Sequence, residues 1–174
     1  MKKAFVTVML CFCSAAISLG MGMITGKKKN PQKVGRVTEG FQLTAVAEKE
    51  LVKSGTAARL RIRIKNITNR PLYLAEMGTE KDYKVRIWND SGKPISLTEH
   101  GKVLQNTEGD VYMNLSLVIQ PGQEREDTLE IGKIYEMTTP GNYWVIVERK
   151  VGKLAGKGVA QAESNTVRIK VVMK

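Results

Sequence analysis

The segment from Pro140 to Val147 reads Pro-Gly-Asn-Tyr-Trp-Val-Ile-Val and joins a turn to the start of a strand. Pro and Gly are residues suited to a turn. Beyond them, apolar side chains recur at every second position, at Tyr143, Val145 and Val147. A period of two places these side chains on one face of a β-strand. The segment therefore predicts a half-buried strand that is entered through a sharp corner.

The same alternation recurs along the chain from Phe41 onward, and turn residues such as Asn89–Gly92 and Pro121-Gly122 separate the segments. Strands without long helical crossovers pair mainly antiparallel. With a tyrosine at the corner before a strand, the pattern predicts an all-β fold, an immunoglobulin-like antiparallel β-sandwich of about 7–9 strands. The one helix that the sequence indicates here is short, from Gly132 to Thr138. The alternating apolar sets begin at Phe41, Leu60, Tyr83, Leu115, Leu129, Tyr143 and Val167.

The N-terminal segment is typical of export. Lys2 and Lys3 precede an apolar run, Ala4 to Ile24, that carries no charge. The alternative is an uncleaved anchor helix, since a spanning helix needs about 20 apolar residues. We therefore divide the chain into a signal peptide or membrane anchor over 1–24, a basic flexible linker over 25–38, and the immunoglobulin-like β-sandwich domain over 39–174. Either alternative predicts export across the cytoplasmic membrane, to a periplasmic, envelope or secreted location.

Charge and cysteine content restrict the classes of function. Residues 1–36 hold seven basic and no acidic residues, whereas the rest of the chain holds 21 basic and 17 acidic ones. The net charge of +11 is therefore concentrated near the N-terminus and is weak support for nucleic-acid binding. Both cysteines, Cys11 and Cys13, lie in the apolar run. We expect no disulfide, no thiolate metal site and no cofactor in the folded part.

The residues that could carry chemistry are few, and we predict that the protein is not an enzyme. His100 is the single histidine, in a polar segment that we interpret as a solvated loop. Gly152–Gly158 lacks the spacing of a phosphate-binding loop and is interpreted as the tip of the last hairpin. Four carboxylates form a cluster that favours a solvated strand edge over calcium binding or acid catalysis: Glu124, Glu126, Asp127 and Glu130.

The side chains that alternate with the apolar sets face outward and provide the candidate binding residues. Basic and aromatic side chains together suit an acidic protein patch, a polysaccharide or a nucleic-acid strand. Arg61 with Arg63 is expected on one face, and Arg168 with Lys170 on a separate one. The alternative is a solvated face that needs charge for solubility. The candidate residues are Arg61, Arg63, Lys84, Arg86, Trp88 and Trp144.

The order of several motifs resembles the immunoglobulin-like domain of the intracellular proteinase inhibitors of bacilli, the BsuPI-like family. The resemblance covers roughly 41–148 and implies the same fold, together with inhibition of a proteinase through a rigid exposed loop. The candidate loops are 98–110 and 152–163. The matching motifs are Leu60–Pro71, Tyr83–Lys93, Ile119-Gln-Pro-Gly-Gln123 and Pro140-Gly-Asn-Tyr-Trp-Val145.

These observations predict an exported, non-enzymatic binding or scaffolding domain of the bacterial cell envelope. Its partner is expected to be a protein or an envelope polymer and not a nucleic acid, with membrane contact through residues 4–24 if the signal is uncleaved. The alternative function is the proteinase inhibitor that the resemblance implies. A hydrolase that uses the carboxylate cluster is a third hypothesis.

Overall fold

The computed structural model describes residues 40–106, 115–152 and 159–174, which belong to one compact unit. The predicted signal or anchor and the basic linker lie outside the described residues. Among the helices that are described, none is both long and apolar enough to cross a membrane. The elements are β1 (Phe41–Ala47), β2 (Leu51–Lys53), β3 (Arg59–Asn66), β4 (Leu72–Glu76), α1 (Thr79–Asp82), β5 (Tyr83–Asn89), α2 (Glu99–Asn106), β6 (Leu115–Ile119), β7 (Glu124–Glu130), α3 (Ile131–Ile134), β8 (Gly141–Gly152), β9 (Val159–Glu163) and β10 (Val167–Val172).

The strands form two main sheets. The first has the order β1-β3-β7, and the second has the order β2-β10-β8-β5, with β9 also paired to β8. The strands β4 and β6 form a separate antiparallel pair. All pairs are antiparallel except β2 with β10, which run parallel. In the letter notation of immunoglobulin-like domains, β1, β3 and β7 correspond to strands A, B and E of one sheet, and β5, β8 and β10 correspond to strands C, F and G of the other. This division of the strands confirms the prediction of an immunoglobulin-like sandwich.

The described residues contain ten strands, slightly more than the predicted 7–9. Two of the differences have a physical reason. The strand β2 has only three residues, too few to show alternation. The last part of the chain forms two strands along the same edge of β8, because residues 164–166, between β9 and β10, interrupt the pairing with β8.

The inward side chains of both sheets make one hydrophobic core. The alternation seen in the sequence reappears as alternating burial along β1, β3 and β10. Each fully buried aliphatic or aromatic side chain contributes about 1.5–3 kcal/mol to folding. The largest fully buried side chains are Phe41, Leu43, Leu60, Ile62, Ile64, Leu74, Leu129, Ile131, Val145, Val147, Ile169 and Val171.

The corner at Tyr143 is as the sequence predicts. The Tyr143 hydroxyl donates a hydrogen bond to the carbonyl oxygen of Thr139 at 2.6 Å, four residues upstream. Burial raises the pKa of this hydroxyl, so it stays a donor. The bond holds the turn before β8 against the start of the strand, as a tyrosine corner does.

Helix α2 is a correction to the sequence analysis, which placed this segment in a loop. Thr98 caps the helix, since its Oγ1 accepts the N–H of Gly101 at 3.0 Å and donates to the carbonyl of Lys133. Glycine is a poor helix former, yet Gly101 is needed in α2, because a Cβ at this position would meet the carbonyl oxygen of Ile134. The predicted helix over 132–138 is shorter than expected and is confined to α3.

The free edge of β1 is covered at Ala45 by the side chain of Asn165, which lies in the connection between β9 and β10. Asn165 accepts the backbone N–H of Ala45 at 3.0 Å and donates to the carbonyl oxygen of Ala45 at 2.9 Å. The amide thus takes the place of a neighbouring strand. It satisfies groups that an edge strand otherwise offers to other chains.

Candidate functional site

The outer face of the first sheet is a lattice of ion pairs. Arg63 lies opposite Glu126 in the register of β3 and β7, and its Nη2 is 3.0 Å from the Glu126 carboxylate. Arg63 is also 3.5 Å from Glu124, and Arg61 is 3.9 Å from Glu126. The hydrogen bond to Glu126 raises the pKa of Arg63. Two of the predicted binding residues, Arg61 and Arg63, therefore already have acidic partners within the protein.

The predicted carboxylate cluster divides between two faces of β7. Glu124, Glu126 and Glu130 face outward and pair with arginines of β3. Asp127 points to the other side, where it accepts the Tyr83 hydroxyl at 2.6 Å and contacts Arg125 at 2.9 Å. The strand β7 lies at an edge of its sheet, as the solvated-edge interpretation expects. Within 40–106, 115–152 and 159–174, no group of three or more His, Cys, Asp or Glu residues could hold a metal ion.

The other four predicted binding residues share the outer face of the second sheet. Lys84, Arg86 and Trp88 come from β5, and Trp144 comes from β8. The register places Trp88 directly opposite Trp144. Directly opposite side chains in an antiparallel pair have Cβ atoms about 4.5–5.5 Å apart. The two indoles, partly exposed, therefore lie side by side on one surface.

The same face also includes Arg168 and Lys170, which is a correction to the sequence analysis. Arg168 lies opposite Trp144, and Lys170 lies opposite Asn142. The sequence could not show this, because periodicity gives a side chain's face within one strand but not which strands are neighbours. We call the surface formed by Lys84, Arg86, Trp88, Trp144, Arg168 and Lys170 the tryptophan face.

The ring of Trp144 is held in place by a hydrogen bond at its edge. Its Nε1 donates to Asp90 Oδ1 at 3.2 Å, and Asn142 Nδ2 donates to Asp90 Oδ2 at 2.8 Å. The hydrogen bonds from Asn142 and Trp144 lower the pKa of Asp90. On the opposite side, Trp88 is paired by a β-bridge with Pro94, so an apolar row runs Trp144, Trp88, Pro94.

The cations of the tryptophan face are only partly compensated. Arg86 contacts Glu148 and also Glu163, the latter at 2.8 Å. For Lys84, Arg168 and Lys170, no carboxylate lies within 4.0 Å among the described residues. Arg168 interacts electrostatically with Asp90, the carboxylate at the edge of Trp144. Within the described residues, Lys84 and Lys170 are therefore the cations of this face that lack a close acidic partner.

A buried charged cluster was missed in the sequence analysis. Arg149, on the inner side of β8, pairs with Asp82 and lies over the ring of Tyr83, 4.8 Å from its centroid. Burial, followed by the hydrogen bond to Asp127, raises the pKa of Tyr83 far above its ordinary value. The sequence did indicate that Arg149 faces inward, since position 149 continues the alternation of the inward residues Tyr143, Val145 and Val147. These groups are covered by the protein, so the cluster supports the fold and is not a binding surface.

His100 lies on α2 and not in a loop, which corrects the sequence analysis. Its Nε2 is 2.9 Å from Glu80 Oε2, so it joins α2 to α1. A groove of about 490 Å³ lies nearby, lined mainly by residues of α1 and the end of β7. In that groove Glu130 contacts Arg59 at 3.1 Å and Lys133 at 3.8 Å.

The two candidate inhibitory loops are largely regular structure. Of 98–110, residues 98–106 are the cap and body of α2, and of 152–163, residues 159–163 are β9. The prediction of a loop is wrong for these parts. The register of β8 and β9 ends with Gly152 opposite Val159. The remaining parts, 107–110 and 153–158, lie outside the described residues.

Comparisons with known proteins give only distant structural likeness. No family model and no curated protein matches the chain, so the resemblance to the BsuPI-like family stays a prediction. The CARDB domain of the PF1109 protein from Pyrococcus furiosus, in complex with di-metal ions, is similar with a TM-score of 0.40 and 17% identity, covering 80% of this chain and 100% of that one. A solution structure of the same domain has a TM-score of 0.39 and 17% identity, covering 78% and 99%.

An enzyme structure also shares this distant likeness. A β-glucosidase from Listeria innocua, in complex with isofagomine, has a TM-score of 0.41 and 15% identity, covering 79% of this chain but only 16% of the enzyme. At such scores these likenesses carry no conclusion about function.

Proposed function

We propose that the protein is an exported, non-enzymatic binding domain of the bacterial cell envelope, and that its ligand contacts the tryptophan face. The observation that carries this proposal is the placement of Trp88 directly opposite Trp144, with Arg168 beside Trp144 on the same face. Aromatic and arginine side chains dominate binding energy at interfaces, because they bury a large area and keep a polar handle.

The geometry supports the tryptophan face over the face around Arg63. A ligand at Arg61 and Arg63 would compete with Glu124 and Glu126, which already occupy the guanidinium groups. Exposed ion pairs of this kind contribute little to stability, but they do reduce the positive potential of the face. Lys84, Arg168 and Lys170 can attract an anionic group without first breaking such a contact.

The exported location rests on the sequence alone. The basic start and the apolar run from Ala4 to Ile24 support translocation, with the domain outside the cytoplasmic membrane. A sandwich with a single continuous core suits a rigid binding module. The placement of His100 against Glu80 and of the carboxylates against arginines favours a structural role for these groups over catalysis.

The test is capture from whole-envelope extract with the full-length chain as bait. We expect a retained component that is lost with the double variant Trp88→Ala/Trp144→Ala. The matched control is Arg61→Ala/Arg63→Ala, which removes two charges from the other face and should retain the component. Circular dichroism and thermal unfolding verify that each variant is folded. Retention that is lost only in the arginine variant would contradict the proposed site.

The proteinase inhibitor remains the alternative, supported by the resemblance of the sequence motifs to that family. A stoichiometric titration against serine, cysteine and metalloproteases distinguishes the two functions. Inhibition that saturates near one-to-one and survives Trp88→Ala/Trp144→Ala would favour the inhibitor. Absence of inhibition, with the chain itself undigested, favours the binding domain.

A further inference from the structure

The tryptophan face has the shape of an open platform. The apolar row of Trp144, Trp88 and Pro94 crosses two strands and the segment beside them, and neighbouring strands lie about 4.8 Å apart. Arg168 lies at one end of this row, and Arg86 lies two residues from Trp88 along β5. The row is therefore apolar along its length, with cations at its end and side and with the Asp90 carboxylate at the edge of Trp144.

The platform is partly preorganised. Asp90 holds the Nε1 of Trp144, so the indole loses little rotational freedom when a ligand covers its face. The hydrogen bond uses the edge of the ring and leaves its face as the contact surface. The negative face of an indole attracts polarised C–H groups and cations.

A peptide that adds as a strand is disfavoured at the free edge of β5. The N–H of Asn89 already donates to Lys93, and the N–H of Ile95 already donates to Ile87, at 3.0 Å in both cases. The carbonyl of Val85 accepts the hydroxyl of Tyr135 at 2.5 Å. With these backbone groups occupied, a ligand at this end of the sheet has to lie on the face and cannot pair at the edge.

We propose that the ligand of the tryptophan face is an acidic polysaccharide whose sugar units carry carboxylates. The proposal rests on the proposed function and names the partner of the same site. The C–H faces of two sugar rings stack on Trp144 and Trp88, and the carboxylates pair with Arg168 and with Lys84 or Lys170. The planar guanidinium of Arg168 suits a bidentate contact with a carboxylate.

The experiment titrates the full-length chain, in mild detergent, with polygalacturonate and with alginate, both polymers of uronic acids. The control polymer is carboxyl-reduced polygalacturonate, which keeps the sugar backbone and removes the charge, and the second control is poly-L-glutamate, which keeps the charge and removes the sugar. Calorimetry and tryptophan fluorescence give the affinity. We expect binding to at least one uronic acid polymer that weakens with salt, and no binding of equal strength to either control polymer.

Substitutions test whether this polymer binding takes place on the tryptophan face. Trp88→Ala and Trp144→Ala should each weaken binding about tenfold or more, which corresponds to one lost stacking contact. Arg168→Ala should weaken it and reduce its salt dependence, whereas Arg63→Ala should leave it unchanged. Loss of fold is excluded by measuring the thermal midpoint of each variant.

The outcomes separate this inference from the proposed function. Carboxyl-reduced polymer or poly-L-glutamate could bind equally well, with binding that still depends on the two tryptophans. That result would show that the ligand is not an acidic polysaccharide, while the tryptophan face would remain the binding site. Binding to uronic acid polymers that is unaffected by both tryptophan variants overturns the site itself. Binding to neither uronic acid polymer overturns the inference, and envelope capture then decides on the proposed function.

Discussion

Arg149 and Asp82 form an ion pair with 3.0 Å between Nη1 and Oδ2, and their side chains are only 3% and 6% exposed. The pair joins β8 to the end of α1. Arg149 Nη2 also donates to the carbonyl of Ala75 at 2.9 Å, and Asp82 Oδ1 accepts the N–H of Met77 at 2.8 Å. The contacts therefore fasten the connection between β4 and β5 to the inner side of the second sheet.

Removing one member of this pair should destabilise the protein strongly. In Asp82→Ala the guanidinium stays buried without its counter-ion, and its Nε already has no hydrogen-bond partner among the described residues. We expect the free energy of unfolding to fall by about 3–5 kcal/mol, measured by urea denaturation. The double variant Asp82→Ala/Arg149→Met should recover part of this loss, because it removes the unpaired charge. Glu99→Ala, which breaks the exposed pair with Lys102, is the control and should change stability by less than about 1 kcal/mol. A loss in Asp82→Ala no larger than in that control would contradict the role of the pair.

The position of the Trp144 ring should depend on pH through Asp90. The hydrogen bonds from Asn142 and Trp144 lower the pKa of Asp90 in the folded state. Their stabilising effect is therefore fully present above the ordinary pKa of the carboxyl and is lost as the pH falls through the lower, folded-state value. We expect a change in tryptophan fluorescence in that acidic range, before global unfolding. Asp90→Ala should remove this step, and persistence of the step in that variant would assign it to another carboxylate.

Gly101 should not tolerate even one added methyl group. A Cβ at this position would come within 2.3 Å of the carbonyl oxygen of Ile134, which is backbone and cannot move aside cheaply. Alanine would favour the helix by about 1 kcal/mol, so the clash and the helix propensity oppose each other. We expect the clash to prevail and Gly101→Ala to lower the free energy of unfolding by about 1–3 kcal/mol. Val103→Ala, on the exposed side of the same helix, should stay within about 0.5 kcal/mol of the wild type. A stabilised Gly101→Ala would mean that α2 shifts freely against α3.

The fully buried amide of Asn66 should be essential to the turn that follows β3. Its Nδ2 donates to the carbonyls of Arg70 and Ile119 at 2.7 and 2.8 Å, and its Oδ1 accepts the N–H and the hydroxyl of Thr68 at 2.9 and 2.7 Å. Asn66→Ala leaves the Ile119 carbonyl without this partner and should lower the free energy of unfolding by about 1–3 kcal/mol. Asn69→Ala, exposed in the same turn, serves as the control in thermal and urea unfolding and should have almost no effect. Equal effects of the two substitutions would show that the amide network is dispensable.

The burial of Asn66 also keeps it away from glycosylating enzymes in the folded protein, although Asn66-Ile67-Thr68 matches the acceptor sequence.

The strands and the core were accessible from local pattern. A period of two is set by the geometry of an extended backbone, so the inward positions of β1, β3, β5, β8 and β10 agree with the apolar sets read in the sequence. The tyrosine corner was equally local, since Tyr143 and Thr139 are only four residues apart. The helix α2 was missed because its cap at Thr98 and its glycine at 101 make sense only against α3, which is distant in sequence.

The alternation of side chains along each strand followed from the amino-acid order alone, because backbone geometry carries that information within a few residues. Tertiary structure alone decided which outward side chains became neighbours. Arg63 met Glu126 across β3 and β7, whereas Arg168 met Trp144 across β10 and β8. Strand pairing joins residues far apart in the chain, and its register depends on the packing of the whole core. That pairing set the arginines of one basic stripe against carboxylates and placed the cations of the other beside two tryptophans.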